Sequence, residues 1–403
     1  MTPWLPLAAA AVMGAALAVF ALRRLVLLGA ALLPVRRHPS IGTAPTAVVL
    51  VAARDEGAGI DPTLDALSRL DYPPERLSFI LVDDGSEDDT VARMRRWAAV
   101  QPGANVLHLP GRMGKSAALA AALAAGPDSA LVVVCDADLV PRPDWLRRLA
   151  EAFSDEDVGA AAPFLEPVNA TFSAVARYAA VESWVHQLVT SAGKEALGLN
   201  PATNGASAYR RGALVELGGF PAIPSGEDVW ITAALTRAGW RTRWVPDAVV
   251  GNAVANRWRD YIRQHLRWSR NLLSAGGARP PAHGPPSGGR AVTVARRFEL
   301  RVMSLGYVDR LAFAAAIALA ATGQMPLWAP LGYAGVIAAQ FLVALARAGV
   351  GRAIPRYLLV TVSFYVLDVA ASAASVAFHL LGRPRRWGSA RRIPAPDDGG
   401  ISR

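Results

Sequence analysis

From residue 5 to residue 22 the chain carries no charged or hydrogen-bonding side chain, and three further apolar stretches lie at 311–322, 327–346 and 357–381. A bilayer core takes about 20 mostly apolar residues per helix. These stretches therefore predict at least one N-terminal and two C-terminal membrane spans. The first C-terminal stretch is short, and Asp309-Arg310 at its edge leaves its status open between a span and a re-entrant or interfacial piece. Residues 44–273 alternate apolar and polar positions as a globular unit does, and are long enough to bury a sizeable core. The division expected is an anchor and juxtamembrane segment over 1–43, a globular unit over 44–275 and a Gly/Pro-rich loop over 276–290. An interfacial helix with two or three spans follows over 291–383, then a basic disordered tail over 384–403.

The net charge of +10 comes from 42 Lys and Arg against 32 Asp and Glu. Most of the excess is arginine beside apolar segments: Arg23, Arg24, Arg36, Arg37, Arg296, Arg297 and a cluster after residue 382. That placement suits anionic headgroups and the positive-inside bias. No nucleic-acid recognition motif accompanies the charge, so nucleic acid is not expected as a partner. Arginines follow the first apolar run instead of preceding it. This favours a retained anchor over a cleaved signal, with residue 23 onward in the cytoplasm. Residues 25–33 read as an extension of that helix or as an interfacial segment. The single cysteine, Cys135, cannot form an internal disulfide and fits a reducing compartment.

The middle of the chain reads βαβα. Strands are expected over 47–52, 77–82, 105–109 and 131–135, with helices over 62–70, 90–99 and 115–125 between them. Such alternation implies parallel pairing with right-handed crossovers. Ligands in such sheets collect outside the carboxyl ends of the strands. The loops arriving there are Ala53-Arg-Asp-Glu56, Asp83-Asp-Gly-Ser86, Gly111 to Lys115 and Asp136-Ala-Asp138, and all four carry charge. Two carboxylates one residue apart at a strand end point to opposite sides. One can reach a metal while the other holds a sugar or a loop; a solvated acidic strand end would look the same in isolation. Gly57-Ala-Gly59 lacks the third glycine of a dinucleotide site, and Gly114-Lys-Ser116 lacks the first glycine of a P-loop.

Further on, the small residues of Ala202-Thr-Asn-Gly-Ala206 would let backbone approach a ligand closely. Glu227 and Asp228 open a helix, where acids also serve as simple caps. Gln264, Arg267 and Trp268 share one helix face by their i, i+3, i+4 spacing. An amide, a guanidinium and an indole together suit a diphosphate and a sugar ring. Val294, Phe298, Val302 and Leu305 form one apolar face of a helix expected to lie in the membrane interface.

Taken in order, Ala53-Arg-Asp-Glu, Val82-Asp-Asp-Gly-Ser, Gly114-Lys, Asp136-Ala-Asp, Gly226-Glu-Asp and Gln264-x-x-Arg-Trp resemble the membrane-bound family 2 glycosyltransferases. That group includes cellulose, chitin and hyaluronan synthases and ceramide glucosyltransferase. The resemblance covers residues 46–273, and the order of six motifs is more specific than any one of them. It implies an α/β GT-A domain with a mostly parallel sheet, flanked by transmembrane helices. It also implies an inverting transfer from a nucleotide-sugar, commonly a UDP-sugar. By the same resemblance Ala53, Glu56, Asp83, Asp84, Lys115 and Asp136 bind the donor, and Asp138 holds Mg²⁺ or Mn²⁺. Asp228 is the base, while Gln264, Arg267 and Trp268 serve diphosphate and acceptor. Asp55 stands where the family often has Asn, and Gly226 where threonine is common.

The expected acceptor is a membrane lipid or short glycan at the cytoplasmic face of the plasma membrane, because few spans are present for a polymer channel. A processive polysaccharide synthase of the same family is the nearest alternative. A sugar nucleotidyltransferase shares the acidic α/β sheet but leaves Glu227-Asp228, Gln264–Trp268 and the apolar spans without a purpose. A non-catalytic scaffold leaves the full set of carboxylates unexplained. No protein partner is identifiable.

Overall fold

The structure, a computed structural model, describes residues 4–34, 42–275, 291–306 and 308–381. The predicted Gly/Pro-rich loop and basic tail, with Arg36 and Arg37, lie outside the described residues. The chain opens with helix α1 (Trp4–Ala31) and enters the sheet through β1 (Ala47–Ala53), α2 (Asp61–Ser68), β2 (Leu77–Asp83), α3 (Thr90–Ala98), β3 (Ala104–His108), α4 (Lys115–Ala125) and β4 (Leu131–Val134). It continues through β5 (Leu139–Pro141), α5 (Trp145–Glu151), β6 (Val158–Pro167), α6 (Ala174–Trp184), α7 (Ala192–Leu197), β7 (Ala208–Arg210), α8 (Arg211–Glu216), α9 (Glu227–Arg237) and β8 (Arg241–Asn252). Five helices follow: α10 (Trp258–Ala275), α11 (Val294–Ser304), α12 (Val308–Ala321), α13 (Trp328–Arg347) and α14 (Ile354–Leu380).

Eight strands form one sheet in the order β3-β2-β1-β4-β7-β6-β8-β5. The first four pair in parallel, as the βαβ alternation predicts. The second half is mixed: β7 runs antiparallel to β4 and β6, β6 runs parallel to β8, and β5 runs antiparallel to β8. β1 is buried at every position because helices cover both faces of the sheet. Val49 and Val51 enter one core with Leu64, Met94 and Trp145, while Val48 and Leu50 enter another with Leu119, Leu214 and Ile231. Each such side chain contributes about 1.5–3 kcal/mol on burial, so the run turns polar only where it leaves the sheet. The strand order reverses between β1 and β4. The loops after those strands diverge there and open the crevice in which such sheets bind ligands.

Among the described residues, three helices are long and apolar enough to cross a membrane: Ala10–Ala31, Trp328–Arg347 and Gly351–Leu380. α11 and α12 meet at 68° and together have the composition of a broken span or re-entrant loop. Residues 25–31 extend the first helix, as one of the two sequence readings has it, and the helix stops before 32–33. Arg23 and Arg24 therefore lie within α1, and their expected headgroup contacts are replaced by protein ones. Arg23 makes a two-pronged pair with Glu299 of α11, at 2.6 and 2.9 Å. Arg24 pairs with Asp309 and bonds to Tyr333 (3.0 Å) and Gln340 (2.5 Å). Burying a charge is costly unless it is paired, and here the partners come from α11, α12 and α13. Along α11, Val294, Phe298 and Leu305 are exposed, while Val302 turns inward beside Leu300 and Met303.

Candidate active site

The loops predicted to meet at the sheet edge do meet there. The loop after β1 carries Asp55, which adopts φ +52°. Asn and Asp are the non-glycine residues that tolerate this left-handed conformation best, so the Asn-to-Asp exchange is conformationally mild. The Asp55 carboxylate accepts the Glu87 amide at 2.9 Å, and Thr90 Oγ1 accepts the amides of Glu56 and Gly57 at 2.9 Å each. Ala53 is fully buried and Glu56 partly exposed. Asp83 and Asp84 are fully buried. Asp83 accepts from Ser86 and lies 2.7 Å from His108 Nδ1. The Asp84 carboxylate accepts the amides of Met113 (2.7 Å) and Gly114 (2.9 Å). Both acids thus shape the loops, and Asp84 sets the turn that delivers Lys115.

Lys115 links two motifs that are far apart in sequence. Its ammonium lies 2.7 Å from Asp136 Oδ1 and 2.5 Å from Glu227 Oε1. Burial disfavours its charge, yet Asp136, Glu227 and Asp228 together raise its pKa well above the ordinary lysine value. Asp136 thus faces the start of α4. Gly205 explains the small residues of the 202–206 stretch. A Cβ there would fall 2.1 Å from Asp136 Oδ2, and the Gly205 carbonyl accepts the Asp136 amide at 2.8 Å. The close approach is to the carboxylate. Thr63 Oγ1 donates to the Ala137 carbonyl at 2.8 Å and fixes the turn leading to Asp138. Asp138 is partly buried and its charge acts on Asp136.

α9 opens with Glu227 and Asp228, and their protonation behaviour diverges. Burial would raise Glu227, but Lys115 outweighs it and holds that carboxyl below its usual value. Burial and the neighbouring Glu227 push Asp228 up to about 7. Two adjacent acids with opposite shifts are the arrangement of an acid–base site. In the sequence, Lys115 belongs to the donor set by resemblance and Glu227 has no role beyond its motif; the signal available for their pairing was that both are charged residues opening helices.

α10 brings its exposed face to the same crevice. The charge of Arg267 acts on Glu227, Gln264 is partly exposed, and Trp268 is 43% exposed. Behind this face, His265 Nε2 lies 3.0 Å from Glu182 Oε2, and Tyr261 hydroxyl donates to Glu182 (2.5 Å) and Asp368 (3.2 Å). Among the described residues, Glu182, His265 and Asp368 are the group with metal-ligand spacing. Arg310 donates to both carboxylates, at 3.1 Å to Glu182 and through a short bond to Asp368. A guanidinium already fills the cation's place, which makes this a structural charge cluster.

The crevice also gathers oxygen donors, with the Lys115 ammonium between Asp136 and Glu227. Asp136, Asp138, Glu227 and Asp228 bring four carboxylates against Lys115 and Arg267, and burial first, then the neighbouring carboxylates, raises Asp136 and Asp228. Oxygen ligands of this kind suit Mg²⁺ or Mn²⁺.

Residues 44–271 match the family model described as Glycosyltransferase like family 2. A Rhizobium meliloti N-acetylglucosaminyltransferase is 32% identical over 240 residues, covering 57% of this chain and 56% of the relative. One from Mesorhizobium japonicum is 31% identical over 258 residues, covering 60% of each. The matched stretch is thus little more than half the length of these curated relatives. Among solved structures, a Pyrobaculum calidifontis mannosyltransferase in complex with GDP-Man and Mn²⁺ superposes with a TM-score of 0.64 at 23% identity. That superposition covers 94% of this chain and all of the other, and so extends the shared fold to the apolar helices.

Proposed function

The chain belongs to glycosyltransferase family 2, and from that premise we propose that it is an inverting transferase acting at a membrane. It moves a sugar from a nucleotide-sugar donor to a lipid or short glycan acceptor. The observation that carries this reading is the meeting of Asp136, Lys115, Glu227 and Asp228, from the ends of β4, the start of α4 and the start of α9. Residues 44–275 form the transfer unit and the apolar helices hold it against the bilayer, on the cytoplasmic side of the plasma membrane.

Asp228 takes the proton from the acceptor hydroxyl as that oxygen attacks the anomeric carbon from the face opposite the leaving group. A base with pKa near working pH suits this step, and positioned bases contribute roughly 10²–10⁴-fold. Glu227 stays ionised beside Lys115 and keeps the Asp228 carboxyl near neutrality. Ala53 and Glu56 line the nucleoside pocket, whose walls Asp83 and Asp84 set. Asp138, with Asp136 beside it, would hold Mg²⁺ or Mn²⁺, which would supply positive charge for the departing diphosphate. Gln264 and Arg267 hold the diphosphate as donors, and the exposed Trp268 offers a stacking face for the acceptor sugar.

The relatives' names make N-acetylglucosamine the first sugar to test, and the Pyrobaculum structure adds GDP-mannose. Membranes containing the protein, supplied with a panel of UDP- and GDP-sugars and Mn²⁺, are scored for nucleotide release and lipid-soluble product. Release of free nucleoside diphosphate with sugar in the lipid phase is expected. Pyrophosphate release, or no turnover with any donor, overturns the reading. A ladder of long products on a gel would point to a processive synthase instead.

A further inference from the structure

A second cavity, of about 560 Å³, shares no residue with the crevice. Its volume is that of a small-molecule site. Ala31, Leu33 and Pro34 at the end of α1 form one wall, α7 forms another, and β8 and the start of α11 close it. Three arginines line it, Arg241, Arg243 and Arg296, against one acid, Glu195. Arg243 is ion-paired to Glu195, and Arg241 is 3.3 Å from Asp155. Arg296 donates to the Gly198 carbonyl at 2.9 Å. Arg241 and Arg296 repel one another, and Arg296 lies in the first turn of α11, where the helix dipole disfavours a cation. An anion between them would relieve both costs.

The cavity's place decides which anion. The candidate span Ala10–Ala31 ends in its wall. Leu33 and Leu197, which line it, are 54% and 42% exposed. Guanidinium groups bind phosphate oxygens in a two-pronged fashion, while exposed leucines at the end of a span suit acyl chains. A soluble phosphate would use the first feature and leave the second idle. We propose that this cavity binds the phosphodiester headgroup of an anionic phospholipid, held by Arg241 and Arg296 with its chains over Leu33 and Leu197. This assignment rests on the membrane placement of α1 and is independent of sugar transfer.

The test is native mass spectrometry of the full chain in detergent, titrated separately with phosphatidylglycerol, phosphatidylcholine and inorganic phosphate. Phosphatidylglycerol adducts should persist and phosphatidylcholine adducts should not. Arg296→Gln should weaken phosphatidylglycerol binding about tenfold, the scale of one charged hydrogen bond, whereas Arg297→Gln, at an exposed neighbour, should change it less than about twofold. Ala196→Trp fills the cavity without altering charge and should weaken binding as much, so that a folding failure of one variant leaves the other decisive. Equal loss from Arg296→Gln and Arg297→Gln would assign the effect to diffuse surface charge. Equal retention of phosphatidylcholine, or inorganic phosphate binding as tightly as the lipid, would also overturn the proposal. The readout is lipid mass, so its failure leaves the transferase reading standing, and the reverse.

Discussion

Asn271 of α10 packs into the space that a side chain at Gly226 would occupy: a Cβ there would fall 2.6 Å from its amide carbon. Ser225 donates to the same amide oxygen at 2.9 Å, and Gly226 itself sits at φ +83°. The contact ties the helix bearing Gln264, Arg267 and Trp268 to the residue preceding Glu227 and Asp228. It also gives a reason for glycine at this position. Gly226→Thr should destabilise the fold by about 1–2 kcal/mol from left-handed strain, plus the clash, and should lower turnover. Adding Asn271→Ala removes the clash and leaves the strain. Thermal melts of the single and double variants should therefore show partial recovery; full recovery would locate the cost in packing alone.

Lys115 is the electrostatic centre of the crevice. Removing one partner of a buried ion pair typically costs about 3–5 kcal/mol because the other charge is left unpaired. Lys115→Met strands Asp136 and Glu227, whose contacts with it are 2.7 and 2.5 Å. The melting temperature should fall at pH 7, and the deficit should shrink in acid as both carboxylates take up protons. Adding Glu227→Gln should recover part of the loss at neutral pH. A deficit independent of pH would mean that packing of the lysine stem dominates.

The Asp228 value of about 7 predicts opposite pH trends for activity and stability. The base acts when deprotonated, so turnover should rise with pH through about 7 and level off above it. A folded-state pKa raised above the unfolded one means that stability is full below the unfolded value, about 3.9, and is lost as pH rises through 7. Asp228→Asn should therefore abolish transfer, keep donor binding, and melt higher than the parent at pH 8, with the difference fading below pH 4. Turnover near the parent level in this variant would place the base elsewhere.

The four parallel strands were legible because the apolar runs at 47–52, 77–82 and 131–135 stop at charged residues, which marks both the strand and its functional end. The crevice residues were legible as separate motifs. Their wiring was not, because Lys115 meets Glu227 across more than a hundred residues and no local pattern encodes a three-dimensional pair. The same holds for Arg23 and Arg24. Beside an apolar run they read as headgroup contacts, and only the return of α11 and α12 supplies Glu299 and Asp309. The mixed half of the sheet escaped because β5 and β7 are three residues each, too short for alternation to register, while Gly159 and Pro163 interrupt β6 and Pro246 interrupts β8.

His265 occupies the unconstrained position between Gln264 and Arg267, and its surroundings make it a positioning residue for that helix face. It stacks on Tyr261 with ring centroids 3.8 Å apart and lies 5.2 Å from the Trp268 ring. Burial disfavours its charge, but Glu182 beside it outweighs burial and raises its pKa above the ordinary histidine value. Glu182 is partly buried, which would raise it, but His265 with Arg310 brings it down to about 2. A histidine raised in the folded state contributes stability that is complete below about pH 6.5 and is lost as pH climbs through its folded value. The parent's melting temperature should therefore decline with rising pH above neutrality, and His265→Gln should flatten that decline. Because Gln264, Arg267 and Trp268 ride on the same turn, His265→Gln should also weaken donor or acceptor use more than His265→Arg, which keeps a cation facing Glu182. Identical kinetics and identical pH–melting curves for parent and His265→Gln would show that the cluster anchors α10 without the imidazolium.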